Sequence, residues 1–246
     1  EARAIGPVVR ERDLQGRTDF RSVVTVTIDG EHARDFDDAI TIARIDDDLV
    51  RLGVHIADVS HYVQEGSALD EEAYERGTSV YFTERAVHMF PSELSTGLCS
   101  LNPHVDRLVQ TCLMEVDRRN GEVRRYEMHD GVIHSDARMT YTKVNAILTD
   151  RDPEMLAEYA DFVPLFERMH ALFHVLNGAR RRRLELQRSG KHRLRRDRQH
   201  QCGREGEVRR EAHADLPAPL LDASASWPAS ASCMAAGTMK PTSGAA

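Results

Sequence analysis

An α+β fold, with a mixed or antiparallel sheet, short helices and one long C-terminal amphipathic helix, follows from three features of the sequence. Runs rich in Val, Ile and Thr alternate with Gly, Asp and Asn turn signals from residue 21 to about residue 134, the pattern of half-buried strands. At Pro153 the apolar period changes to three or four residues, which marks a helix. After about residue 186 periodicity ends and "PAPLLDASASWPASASCMAAG" supplies mainly Pro, Ala and Ser. Such a composition buries no core, so a disordered tail is expected.

Residues 1–20 are polar and weakly patterned, which reads as a linker or the end of a preceding domain. "RSVVTVTI" then reads as a strand ending at Asp29-Gly30, and "AITIARI" at 39–45 as a second strand ending at an acidic turn. "LVRLGVHIADVSHYV" reads as a third strand, partly buried on both faces. A short helix is expected from Ser67, whose hydroxyl stands three residues before Asp70, to a stop at Gly77. "TSVYFTERAVHMF" returns to strand composition, and Pro91 to Leu98 suits one or two helical turns. "RLVQTCLMEVD" and "GEVRRYEMHDGVIHSD" flank "RRNG", a hairpin with Gly121 where positive φ is needed. Met155, Tyr159, Phe162, Phe166, Met169, Phe173 and Leu176 form the stripe of the long helix, with Pro164 as a kink and Arg180 to Arg183 at its end.

At 246 residues, 41% hydrophobic and 30% charged, the chain can bury one sizeable core or two small ones. No apolar run approaches the roughly 20 residues of a membrane helix. The opening "EARAIGPVVRERDLQ" has no cationic start followed by an apolar stretch, so a cytoplasmic address is expected. It begins with Glu rather than Met, as a piece of a longer protein would. Cys99, Cys112, Cys202 and Cys233 are widely spaced and read as reduced thiols rather than a disulfide framework or zinc site. The net charge of −7 conceals a basic block: residues 180–211 hold thirteen Lys or Arg against five Asp or Glu. Such a block attracts phosphate polymers or forms a solvated face.

The chemistry concentrates in "DGEHARDFDD", residues 29–38, which holds five acidic side chains in ten positions. Asp29 falls at the end of a strand, a rigid mount. Asp35 and Asp37, two apart, share a face of an extended chain while Phe36 points the other way. Like charges this close call for a cation. Calcium loops of the EF-hand type want D-x-D-x-D-G with a Glu at the twelfth position, which this segment lacks. Magnesium-assisted phosphoryl chemistry fits the hard oxygen donors better. A solvated acidic loop and a structural calcium loop stay open as readings of the residues alone.

"VTIDGEHARDFDDAI", "LGVHIADVSHYVQEGSALDEEAYERGTSVYF" and "HMFPSELSTGLCSLNPHVDRLVQTCLMEVD" together closely resemble the N-terminal half of the catalytic domain of the ribonuclease II and ribonuclease R family. The resemblance spans about residues 15–183, so the expected divisions are 1–20, 21–183 as half of a catalytic domain, and 184–246 as tail. It implies a 3′-to-5′ exoribonuclease that hydrolyses single-stranded RNA with Mg²⁺ and releases nucleoside 5′-monophosphates. It places Asp29, Asp35, Asp37 and Asp38 in the family's acidic quartet, with Asp38 the most directly catalytic. Tyr81 matches an aromatic that clamps the terminal nucleotides, and Tyr141 one that stacks on the end base. His32, His55, His61 and His88 receive no catalytic or metal role.

Beyond "ARRRRLEL" the resemblance stops, and the rest of the family's catalytic domain, its cold-shock-like domains and its S1 domain have no counterpart. The change reads either as a divergent terminus or, the favoured reading, as a reading-frame error in a GC-rich gene. A half-domain exposes apolar surface and only half a channel, so the isolated chain is expected to be weak or inactive. The alternative function is non-catalytic RNA binding through residues 180–211.

Overall fold

In the computed structural model the backbone is described for residues 1–82 and 85–201, and side chains are described as far as residue 185. Nine strands, β1 (Thr18–Asp19), β2 (Val26–Asp29), β3 (Asp38–Arg44), β4 (Leu49–Ala57), β5 (Val80–Tyr81), β6 (Ala86–Val87), β7 (Asp106–Asp117), β8 (Val123–His134) and β9 (Ala137–Thr140), are found among these residues. The helices are α1 (Ala2–Ile5), α2 (Val59–Tyr62), α3 (Ala68–Arg76), α4 (Tyr141–Asn145), α5 (Pro153–Glu158) and α6 (Val163–Gln201). Seven strands form one sheet in the order β1-β8-β7-β4-β3-β2-β9, and β5 and β6 pair separately. Pairs β1/β8 and β2/β9 are parallel and the others antiparallel. The expected α+β class with a mixed sheet is the one observed.

Alternation along β3 shows how the sheet separates two cores. Ala39 joins a cluster with Phe36, Leu69, Leu94, Leu98 and Leu101. Ile40 and Ile42 join a second cluster with Phe166, Met169 and Leu172 of α6. Successive side chains of a strand point to opposite faces, so a helical layer covers each side. Among the described residues no helix is long and apolar enough to cross a membrane.

Local signals placed several elements where they were expected. Ser67 accepts from the Asp70 N–H to cap α3, and Gly77 ends it with φ of 67°. Gly121 has φ of 77° at the turn between β7 and β8, a conformation that suits glycine. Four boundaries differ. The strand expected across 21–28 begins only at Val26, because Arg21 folds onto Asp19 and Asp106 and the Thr25 N–H donates to Asp136 instead of a neighbouring strand. The strand expected to run through Val63 stops at Ala57, where Asp58 caps α2 by accepting from the His61 N–H. The single helix expected from Pro153 is two: α5 ends at Glu158, and Pro164 sits in the first turn of α6. A proline there gives up no helical hydrogen bond, so it starts a helix rather than kinking one. Helix α6 continues past the Arg run to Gln201; residues 202–246, most of the expected tail, lie outside the described residues.

The segment 1–20 packs on the body of the domain through Ala2, Asp13 and Phe20, all buried. Arg17 anchors it. Its guanidinium pairs with Asp58 at 2.6 Å and donates to the Asp13 carbonyl at 3.0 Å and the Gly131 carbonyl at 3.4 Å.

Candidate active site

Strands β2 and β3 are antiparallel neighbours, with Val26 opposite Ile40. Asp29 closes β2 and Asp38 opens β3, so the loop that joins them brings the acidic residues back to one end of the sheet. Strand β9 lies on the other side of β2, in parallel register, with Asp29 opposite Thr140. Tyr141 follows directly as the first residue of α4. It therefore stands at the same sheet end as the carboxylates.

Three ties hold the loop's backbone. Ser100, fully buried, accepts from the Phe36 N–H at 3.0 Å and donates to the Arg34 carbonyl at 3.0 Å. Arg138 of β9 donates to the carbonyls of Gly30 at 3.0 Å and Glu31 at 2.9 Å, and its guanidinium lies 5.4 Å from the centre of the Phe36 ring. The Ala57 N–H donates to the Asp37 carbonyl at 2.9 Å. Phe36 is buried in the first core, as the alternation of the loop predicts, and its burial turns Asp35 and Asp37 the other way.

The four aspartates lie within electrostatic reach of one another. Burial pushes the Asp29 carboxyl up to about 7, with the charges of Asp38 and Asp35 adding and Arg138 opposing. Burial also pushes Asp37 up to about 7, followed by repulsion from Asp35, Asp38 and Asp29. Asp38 is raised too, by burial. The Tyr141 hydroxyl is raised by burial and then by the charges of Asp29 and Asp38, as its register position requires. Tyr81, half exposed, donates its hydroxyl to Asp35. His88 holds its Nδ1 3.7 Å from the same carboxylate, with its ring edge-on to Tyr81. One sheet end thus gathers all six residues singled out by the sequence.

The donor set suits a hard divalent cation: all-oxygen ligands, too little positive charge to balance them, and a buried Asp29 Oδ2 with no hydrogen-bond partner. Among the described residues no three such side chains already stand as a formed coordination set. The residues fit the group in chemistry and charge.

Of the histidines set aside, His55 is fully buried with Nδ1 2.9 Å from Thr111 Oγ1, and His61 faces Asp13. Both serve packing. His88 instead reaches the rim of the site. Ser100 and Arg138 escaped the sequence reading altogether. Arg138 carried a faint signal, a charge inside the short run "ARMT", whereas Ser100 carried none. Replacing Ser100 with Ala is expected to strand the buried Phe36 N–H at a cost of about 1–3 kcal/mol, read by urea denaturation, and to weaken divalent-ion binding by the loosened loop.

Residues 17–214 match the RNB domain model, and the chain belongs to that family. It is 50% identical over 183 residues to ribonuclease R of Thermotoga maritima, covering 74% of this chain and 25% of that protein. Among solved structures it is similar to Mycoplasma genitalium RNase R in complex with ribose methylated single-stranded RNA, with a TM-score of 0.64 and 29% identity over 74% of this chain and 28% of that one. Yeast Ssd1, a pseudonuclease, shares the fold at 18% identity and a TM-score of 0.52, over 58% of this chain and 18% of that one. The chain spans about a quarter of the length of the curated relative, within the N-terminal part of the catalytic domain.

Proposed function

We propose that the chain carries the carboxylate centre of a 3′-to-5′ exoribonuclease acting on single-stranded RNA with Mg²⁺ and releasing nucleoside 5′-monophosphates. The convergence of Asp29, Asp35, Asp37 and Asp38 at one end of β2 and β3 is the observation that carries this reading. The shared fold of a pseudonuclease makes the point sharper, since hydrolysis must rest on the side chains and not on the sheet.

Asp29, Asp35, Asp37 and Asp38 would hold the cation. When bound, Mg²⁺ supplies positive charge to the phosphate oxygens and lowers the pKa of a water. Asp38 orients the attacking water and takes part in accepting its proton. Asp29 and Asp37, raised toward neutrality in the metal-free chain, would serve as ligands in their deprotonated form. Tyr81 and Tyr141 offer ring faces to the terminal bases, a contact every base can make, which suits an enzyme indifferent to sequence. Ser100 and Arg138 keep the loop backbone in place while the carboxylates exchange partners. The second reading, RNA binding by residues 180–211, gains no support from this geometry, because side chains from residue 186 lie outside the described residues.

The test uses the whole chain. Mg²⁺ is expected to raise its melting temperature, and poly(A) to yield 5′-mononucleotides, slowly, because much of the relatives' length is missing. Asp38→Asn is expected to abolish both responses. Equal behaviour of the two proteins toward Mg²⁺ would falsify the proposal; binding that survives Asp38→Asn and weakens steeply with salt would point to the basic block instead.

A further inference from the structure

Among the described side chains, helix α6 carries two histidines that the acidic site does not use. His170 and His174 lie one helical turn apart and exposed, while Leu165, Phe166, Met169 and Leu172 of the same helix face the core. Their Nε2 atoms stand 3.0 Å apart, and the rings are nearly perpendicular, at 89°. Phe173 packs against the His174 ring with centroids 5.6 Å apart, which restricts that ring's rotation.

We propose that His170 and His174 form a second metal site, which takes a borderline divalent transition ion, Ni²⁺ or Cu²⁺ ahead of Zn²⁺, through both Nε2 atoms. Metal–imidazole bonds are about 2.0–2.1 Å long, so one ion bridging nitrogens at the observed 3.0 Å subtends an angle of about 91–97°. That is the cis angle of square-planar or octahedral coordination. A tetrahedral ion would want the nitrogens about 3.4 Å apart for the same bond length. Tetragonal nitrogen sites favour Cu²⁺ and Ni²⁺, whereas Mg²⁺ prefers hard oxygens, so this pair and the aspartate quartet select different ions.

Neutral imidazole donates from one ring nitrogen and accepts at the other, and a lone pair must face the ion at each Nε2. The proton of whichever ring carries it at Nε2 therefore moves to its Nδ1. Two protein donors leave the remaining positions to water, which makes the bound ion exchangeable rather than a structural element like a four-ligand zinc site. A divalent ion across one turn also ties α6 where it covers the second core, so binding stabilises the folded state.

Calorimetric titration of the 246-residue chain with Ni²⁺, in excess Mg²⁺ to engage the carboxylates, tests the site. His170→Gln and His174→Gln are each expected to weaken it by about tenfold or more, while His104→Gln leaves it unchanged. Both substituted positions are exposed, and circular dichroism of each variant checks that it folds. Electron paramagnetic resonance of one equivalent of Cu²⁺ should show two imidazole nitrogens in the unaltered chain and one in either variant. Nickel held elsewhere persists in the variants and subtracts out. Ni²⁺ affinity unchanged in both variants, or an identical Cu²⁺ spectrum in all three proteins, overturns the proposal and leaves the 3.0 Å approach as a hydrogen bond between imidazoles.

Discussion

Replacing Arg17 with Met is expected to cost about 3–5 kcal/mol of stability, the range for breaking a buried ion pair from one side. The side chains of Arg17 and Asp58 are only 9% and 5% exposed and meet at 2.6 Å. Removing the guanidinium leaves the carboxylate inside the protein without its counter-charge. Asp58 keeps the Ser60 hydroxyl at 2.8 Å and the His61 N–H at 3.3 Å, which sets the loss toward the lower part of that range. The double variant Arg17→Met/Asp58→Asn should recover much of it, because the amide oxygen still caps α2 and no buried charge remains. Urea denaturation of the two variants decides the matter. Should Arg17→Met unfold with the unaltered protein, the pair contributes nothing and segment 1–20 is held by its apolar contacts and by the pairing of β1 with β8.

The second large effect runs the other way, toward stabilisation. Asp37→Asn should stabilise the metal-free chain at pH 8 by about 1–2 kcal/mol after allowing for partial exposure, which raises the melting temperature by about 2–8 °C in a domain of this size. The folded-state pKa of Asp37 is raised from the ordinary 3.8 to about 7. A group shifted upward contributes stability that is fully present below 3.8 and lost as pH rises through about 7. Asn resembles the protonated carboxyl and loses nothing over that window. The advantage of the variant should therefore vanish near pH 4 and grow to a plateau above pH 7. Added Mg²⁺ should stabilise the unaltered protein and not the variant, since the burial and then the like-charge repulsion that weaken the metal-free fold both favour a cation. A pH-independent difference between the two proteins would show that neither burial nor the neighbouring carboxylates raise Asp37. Functional sites often carry this kind of destabilisation.

How much of this was written in the chain differs from residue to residue. The caps of α3 at Ser67 and Gly77 and the positive φ at Gly121 are choices made within a few residues, and a short window of sequence contains their cause. The same holds for the alternation that buries Phe36 and turns Asp35 and Asp37 away from it. The acidic motif was legible as a charge problem that suits a hard cation even before any family resemblance gave it a substrate. Boundaries failed where a distant partner intervened: Arg21 reaching Asp106 and Thr25 reaching Asp136 delay β2, and neither partner lies in the local window.

By itself, then, the sequence determined most of the element types, several turn positions and the crowding of Asp29, Asp35, Asp37 and Asp38 into ten residues, because backbone preference and hydrophobic period act over single turns and single strands. Only the tertiary structure decided that β9 pairs with β2, which sets Tyr141 beside Asp29 and Asp38. It alone also decided that Ser100 and Arg138 hold the acidic loop, and that His170 and His174 face each other at 3.0 Å. Strand pairing and side-chain approach across the fold depend on closing long loops and filling a shared core. No local stretch of the chain encodes either.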